Sequence, residues 1–109
     1  MAKKVKVPQK SFETKDEFQH FVETEKEWFY NRVVEAIAEA HENGETVASI
    51  IKAKIVETMS VVEFTSDISE WERSLGLAIT WFEKQENYEK CSTIYNLKEE
   101  VKNFLSENF

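Results

Sequence analysis

The stretch TVASIIKAKIVETMSVVEF, Thr46 to Phe64, decides the fold class, because its β-branched residues suit a strand while its spacing fits a helix. Apolar residues recur in it at the helical intervals of three or four, and they are Val47, Ile51, Ile55, Met59 and Val62. The strict alternation of a half-buried strand fails at three apolar doublets, which are Ile50–Ile51, Ile55–Val56 and Val61–Val62. We therefore predict a helix from about Thr46 to Met59, with an extended or turn-like exit through Phe64.

The rest of the chain predicts three further helices with short connections. Thr14 and Glu17 form a capping box that begins a long first helix, Lys15 to about His41, which ends at the glycine of HENG. A third helix covers Asp67 to about Gln85, and Asn87 is a suitable N-cap for a fourth. Sheet proteins need frequent turn residues, whereas this chain has two glycines and one proline. We expect an all-α compact bundle of about four helices, arranged as two αα-hairpins.

Charge divides the chain into two unequal parts. Residues 1–10 carry four lysines and no acid, whereas residues 11–109 carry 10 Lys and Arg against 21 Asp and Glu, a net charge of −11. Pro8 disfavours a helix just before it, so we predict a flexible basic tail over residues 1–13. The total of 109 residues is the usual size of one domain, which we place at residues 14–109 as a single helical domain.

An interruption in the apolar stripe of the first helix points to a partner surface. Between Val22 and Trp28 the residues ETEKE include no apolar side chain, so the helix bends there or its first half leaves the body. Aromatic side chains in excess of a small core either wrap its ends or form a partner or dimer surface. The candidate partner-binding residues are Phe18, Phe21, Glu25, Trp28, Phe29 and Phe109. Trp28 with Phe29 is the expected anchor, because buried aromatic side chains dominate interface energies.

Catalytic and metal chemistry finds little support in the sequence. Cys91 is the only cysteine, and the two histidines, His20 and His41, are about 30 Å apart if the first helix is continuous. Because only one of them could approach Cys91, we interpret the cysteine as a small packing residue. Glu35 and Glu39 lack the histidine three residues later that a di-iron bundle requires. We expect a protein without enzymatic activity, catalytic residues, metal or cofactor.

The segment LAITWFEKQENYEKCSTIYNL, residues 77–97, resembles the helical hairpin of tetratricopeptide repeats. Ala78 and Trp81 stand at the spacing of the small and aromatic positions on the first helix of that repeat. Tyr88, Cys91 and Tyr95 match the aromatic, small and aromatic positions on its second helix. The proline of the repeat is missing and no second copy follows at the 34-residue period, so the resemblance implies a hairpin and no repeat array.

The absence of catalytic motifs, the spare aromatic residues and the acidic body together favour a binding role. We expect a small acidic protein that binds and regulates a larger protein partner, as an adaptor or an inhibitor. In size and acidic composition the whole chain resembles the small accessory proteins of large tailed bacteriophages, which implies action on host machinery in the host cytoplasm. The lone cysteine favours a reducing, cytoplasmic setting, and no apolar run is long enough to span a membrane.

Two alternative functions and the oligomeric state stay open at this point. A basic arm of Lys3, Lys4, Lys6 and Lys10 could bind a phosphate backbone, giving a nucleic-acid-associated protein. A regularly acidic helical face could instead imitate the charge spacing of DNA and inhibit a DNA-binding protein. A homodimer through the first helix would explain the length of that helix and its spare aromatic residues.

Overall fold

Three strands and four helices make up residues 7–108, the part of the chain that the computed structural model describes. In chain order they are β1 (Gln9–Phe12), α1 (Lys15–Thr24), α2 (Lys26–Glu42), β2 (Val47–Ile55), β3 (Ser60–Asp67), α3 (Ile68–Lys84) and α4 (Tyr88–Asn108). The strands form one sheet in the order β1-β2-β3, in which β1 is parallel and β3 antiparallel to β2. The fold is therefore α+β, and the predicted all-α bundle of two αα-hairpins is wrong.

A β-bulge at Ile50 explains why the stretch from Thr46 to Phe64 imitates a helix. Ser49 pairs with Thr65 and Ile51 pairs with Phe64, so Ile50 is an extra residue in β2. Beyond the bulge the strand alternates strictly, with Ile51, Ala53 and Ile55 buried and Lys52 and Lys54 exposed. Two strand periods of two residues equal the helical spacing of four, so Ile51 and Ile55 satisfy both patterns.

The sheet also includes residues that were expected in a flexible tail. Gln9 to Phe12 pair in parallel register with Lys52 to Ile55, and the amide of Lys52 donates to the carbonyl of Pro8. The predicted tail over residues 1–13 is thus wrong for residues 9–12. Residues 1–6 and Phe109 lie outside the described part of the chain.

The predicted first helix is two helices that break at Glu25. The backbone of Glu25, at φ −101° and ψ 54°, leaves the helical region and connects α1 to α2. The two alternatives at ETEKE are a bend and a first half that leaves the body; the chain bends at Glu25, and α1 stays packed on the sheet through Phe18. The predicted ends are confirmed: the Thr14 side chain accepts from the Glu17 amide, and Gly44 takes φ +70° after α2.

Two apolar cores lie between the sheet and the helices. The larger core joins α2, α3, α4 and the first half of β2, and its fully buried side chains include Ile37, Ile51, Trp71, Leu75 and Phe82. The smaller core lies under α1 and is formed by Phe18, Ala53 and Ile55, with Phe12 and Val22 at its border.

Helices α3 and α4 form the hairpin that the sequence predicts. The side chain of Asp67 accepts from the Ser69 amide at the start of α3, and that of Asn87 accepts from the Lys90 amide before α4. Ala78 is buried at this hairpin, whereas Tyr88 and Tyr95 remain 65% and 54% exposed. The two aromatic positions of α4 that resemble a tetratricopeptide repeat therefore do not pack as they would in a stacked array.

Candidate protein-binding surface

Strand β3 lies at the edge of the sheet. Within residues 7–108 it pairs with β2 on one side, and its other side has no strand beside it. Eight residues in extended conformation span about 26 Å. An edge of this length presents a row of backbone N–H and C=O groups to which another strand can be added.

Exposed apolar side chains surround this edge. Five of them belong to the hairpin of β2 and β3, and we call them the β3 patch: Val56 (41% exposed), Met59 (88%), Val61 (59%), Val62 (37%) and Phe64 (37%). Val62 and Phe64 stand opposite Ala53 and Ile51, which are buried, so they lie on the helix-covered face of the sheet. The β3 patch therefore combines a strand edge that has no neighbouring strand with apolar side chains that are exposed to solvent.

An apolar groove of about 420 Å³ continues the patch between α1 and β3. Its walls, which define the α1–β3 groove, are Lys15, Phe18, Gln19, Val22, Ile55, Val62 and Phe64. Lys15 is the one charged residue among them, so the groove suits apolar groups and tolerates a carboxylate at its rim. The groove has the apolar lining with few polar groups that is typical of binding sites.

A series of ring contacts connects Phe64, in the groove wall, to Trp28 on α2. The Phe18 ring lies 5.1 Å from the Phe64 ring and 5.1 Å from the Phe12 ring, centroid to centroid. Phe12 lies 5.4 Å from Phe21, whose ring lies 5.3 Å from that of Trp28. Such tilted and edge-on pairs contribute about 0.5–1.5 kcal/mol each beyond their burial.

The predicted partner-binding residues thus occupy different places. Phe18 is 8% exposed and belongs to the smaller core, while Phe21 and Trp28 are half-buried against each other. Phe29 is half-buried beside Tyr30, at 6.3 Å between ring centroids. Glu25 is exposed at the break between the two helices, and Phe109 lies outside the described residues. The structure brings Phe18, Phe21 and Trp28 into one chain of contacts and leaves Phe29 outside it.

Lys10, a member of the predicted nucleic-acid arm, contacts aromatic rings within the fold. Its Nζ lies 5.1 Å from the centroid of Trp28 and 5.4 Å from that of Phe21. A cation at that distance is attracted by the negative ring face, with about 0.5–1 kcal/mol at an exposed site. Lys3, Lys4 and Lys6 lie outside the described residues.

Arg32 is a buried cation beside the part of β2 that does not pair with β1. Only the second half of β2 pairs with β1, and the guanidinium of Arg32 donates to the carbonyl oxygens of Ile50 (2.7 Å) and Ser49 (2.9 Å). The side chain is 5% exposed and forms ion pairs with Glu35 at 3.1 Å and Glu39 at 3.7 Å. Arg32 therefore satisfies backbone carbonyls at the bulge that a neighbouring strand would otherwise satisfy.

A polar pocket of about 210 Å³ adjoins Arg32, with Val7, Glu39 and Glu45 among its walls. Burial raises the pKa of the Glu39 carboxyl, an effect that the nearby Arg32 guanidinium opposes. The pocket is small and its cation is already paired, so its arrangement serves the local fold. Arg32 is not among the residues predicted from the sequence, although an arginine between the apolar positions Phe29, Val33 and Ala36 is a usable signal for a buried cation.

The groups that could perform chemistry do not converge. The Cys91 thiol is half-buried at the hairpin and donates to the Ile79 carbonyl at 3.5 Å. The His41 ring packs edge-on against Phe104, and His20 is exposed on α1. Among residues 7–108 no group of three or more His, Cys, Asp or Glu side chains is placed to hold a metal ion.

The β3 patch itself was missed by the sequence analysis. The sequence predicts a turn-like exit from a helix at Val61, Val62 and Phe64, and it does not indicate their exposure at a sheet edge. The usable signal is the low charge of the segment from Ser60 to Ser66, in which Glu63 is the one charged residue. A β-rich segment of low charge is the composition that pairs readily with another strand.

Comparisons with known proteins add no relative. No family model, no curated protein and no solved structure matches this chain. Within the described residues, none of the helices has the length and apolar character needed to cross a membrane.

Proposed function

We propose that this chain is a non-catalytic protein-binding module, to which an extended segment of a larger protein partner is added at the free edge of β3. The observation that carries the proposal is the β3 patch beside the α1–β3 groove. In this mode of recognition the partner's main chain bonds to the strand edge, and alternate side chains enter neighbouring pockets. The module would act as an adaptor or inhibitor by holding that segment of its partner.

The walls of the groove define the chemistry of the partner segment. Val62, Phe64 and Ile55 suit a segment with apolar side chains at alternate positions, and Lys15 suits a carboxylate near one end. Each apolar side chain that becomes fully buried contributes about 1.5–3 kcal/mol. Two such side chains contribute about 3–6 kcal/mol, which must be set against the loss of freedom on association.

We also propose a cellular compartment for the module. A single half-buried cysteine suits a reducing compartment, and we assign the module to the cytoplasm, or to the host cytoplasm if the chain is encoded by a bacteriophage. The acidic residues of α1 and α2 lie on two helices that break at Glu25, so they do not follow one continuous helical face. The protein-binding role is therefore favoured over imitation of DNA.

Selection of peptides by the immobilised full-length chain tests this function. From a random library we expect enriched peptides with apolar residues at alternate positions and an acidic residue near one end. Val62→Lys should weaken their binding by about tenfold or more, which corresponds to 1.4 kcal/mol. The matched control is Leu77→Lys, because Leu77 is an exposed apolar residue on α3, away from the sheet.

Circular dichroism of both variants separates loss of binding from loss of folding. Peptides that bind equally well to the Val62→Lys variant would contradict the assignment to β3. Enrichment of basic peptides, or of peptides with apolar residues at helical spacing, would contradict the extended mode of binding.

A further inference from the structure

We infer that the partner segment is the C-terminal tail of its chain, added antiparallel to β3 so that its terminal carboxylate pairs with Lys15. This inference rests on the proposed function, to which it adds the end and the direction of the bound segment. The last residue of the tail lies opposite Val62, and the residue two before it lies opposite Phe64. Both of these tail side chains enter the α1–β3 groove.

The pairing of β2 shows which groups of β3 face the free edge. The amide of Lys52 donates to the carbonyl oxygen of Pro8, so the backbone groups of Lys52 point toward β1 and away from β3. Glu63, its antiparallel partner, therefore directs its own N–H and C=O toward the free edge. A strand added there bonds to Glu63, and its residues opposite Val62 and Phe64 form the non-hydrogen-bonded pairs, whose side chains lie closest. Those side chains point to the helix-covered face, where the groove lies.

Lys15 lies at the end of the groove where β3 begins. Ile55 is a groove wall at the end of β2, and it pairs with Ser60, the first residue of β3. In the turn between these strands, the amide of Glu57 donates to the carbonyl oxygen of Glu13. Helix α1 begins two residues after Glu13, so its first residue, Lys15, is close to this turn. A charge on the partner must reach the Ser60 end of β3 to pair with Lys15.

The charge of Lys15 selects the direction of the added strand. A strand antiparallel to β3 arrives at the Ser60 end with its C-terminus, whereas a parallel strand arrives there with its N-terminus. The lysine ammonium attracts a carboxylate and repels a terminal amine. Within residues 7–108 the ion pairs are those of Arg32 and Arg73, so Lys15 has no acidic partner among them.

The acidic residues next to Lys15 in sequence lie outside the groove. Asp16 and Glu17 follow it in α1, but among the described residues neither is a wall of the groove. The Glu17 carboxylate accepts from the Glu13 amide and so belongs to the capping of α1. Lys15 is therefore the charge that a group at this end of the groove meets.

A chain terminus supplies the carboxylate without a polar side chain in the groove. The tail positions opposite Val62 and Phe64 face an apolar lining, where a polar group would lose its hydration. The main-chain carboxylate comes directly after the last of these positions, where Ser60 and Lys15 mark the end of the edge. The tail therefore needs an apolar last residue and an apolar residue two positions before it.

Three forms of one synthetic peptide test the terminus and the direction with the full-length chain. The peptide alternates threonine and valine over six residues and ends in valine. Its forms are acetylated with a free C-terminal carboxylate, acetylated with a C-terminal amide, and amidated with a succinyl carboxylate at the N-terminus. In isothermal titration calorimetry the first form should bind about three- to fivefold more tightly than the other two, which is the contribution of one ion pair at an exposed rim.

Three substitutions separate the ion pair from the apolar contacts. Lys15→Met should abolish the preference for the free C-terminal carboxylate and leave the affinity for the acetylated amide unchanged. Lys26→Met is the matched control and should keep the preference, because Lys26 is exposed on α2 and is not a wall of the groove. Val62→Ser should weaken the binding of the carboxylate and amide forms by the same factor. Circular dichroism should show that all three variants are folded.

Each contrary outcome overturns a defined statement. Equal affinities of the three forms, or a preference for the free carboxylate that Lys15→Met retains, overturn the pairing of the terminus with Lys15. Tighter binding of the succinylated form overturns the antiparallel direction. In these cases the proposed function stands as long as Val62→Ser weakens binding. A failure of every form to bind, or binding that Val62→Ser leaves unchanged, overturns the proposed function together with this inference.

Discussion

The ring of Phe18 on α1 lies 5.1 Å from the ring of Phe64 on β3, centroid to centroid, at an interplanar angle of 33°. Phe18 is 8% exposed and belongs to the smaller core, whereas Phe64 is 37% exposed at the sheet edge. The contact between Phe18 and Phe64 therefore connects the core that holds α1 on the sheet with the surface that we assign to binding. Substitutions at the two ends of this contact have different expected consequences.

Phe18→Ala should lower the free energy of unfolding by about 3–5 kcal/mol, because it removes a buried ring and leaves a cavity among Phe12, Ala53 and Ile55. Urea denaturation followed by circular dichroism measures the change. Tyr88→Ala is the matched control, since Tyr88 is 65% exposed and its loss should change the free energy by about 0.5 kcal/mol or less. Equal effects of the two substitutions would show that Phe18 is not part of a core.

Arg32→Met should destabilise the fold although it replaces a charge with an apolar chain of similar length. The carbonyl oxygens of Ser49 and Ile50 would lose their donor, at a cost of about 1–3 kcal/mol for each buried group left unsatisfied. Arg73→Met is the matched control, because Arg73 is 79% exposed and its ion pair with Glu70 is 3.7 Å long. Urea midpoints of the two variants should differ clearly, and similar midpoints would contradict the role of Arg32 at the bulge.

Local signals in the sequence were sufficient to predict where the helices begin and end. The caps at Thr14, Asp67 and Asn87 each depend on a side chain and an amide two or three residues apart, so the sequence contains both partners. The left-handed turn at Gly44 is local in the same sense. These features were predicted because no distant residue is needed to form them.

The sheet could not be predicted in the same way, because its cause is distant in sequence. Ile50 and Ile51 are both buried in the larger core because a bulge in the pairing of β2 with β3 interrupts the alternation of the strand, and that pairing is not visible in the segment itself. Likewise Gln9 to Phe12 form a strand because Lys52 to Ile55 offer a free edge. The candidate surface was missed for the same reason, since exposure at an edge depends on which strands are paired.

The N-cap of α3 gives a prediction on pH. Hydrogen bonds from the backbone and side chain of Ser69 lower the pKa of the Asp67 carboxyl below its ordinary value. A carboxyl whose pKa is lower in the folded state stabilises the fold above its unfolded pKa, and this stabilisation is lost as the pH falls through the folded value. Asp67→Ala should therefore lower the urea midpoint at neutral pH and change it less at about pH 3. Asp67→Asn keeps the cap without a titrating group, and its midpoint should stay above that of the alanine variant at neutral pH.

The two glycines should respond to alanine in opposite directions. Gly44 has φ +70° at the end of α2, where an alanine costs about 1–2 kcal/mol because its Cβ meets the carbonyl oxygen. Gly76 lies within α3, and a Cβ there meets only the Lys98 Nζ at 3.7 Å, an ordinary contact with a flexible side chain. Gly76→Ala should thus stabilise by about 0.8–1 kcal/mol through helix propensity. Thermal denaturation should show a lower Tm for Gly44→Ala and a higher Tm for Gly76→Ala than for the wild type. A lower Tm for Gly76→Ala would contradict the open space at Gly76 and would mean that α4 lies closer to α3 there.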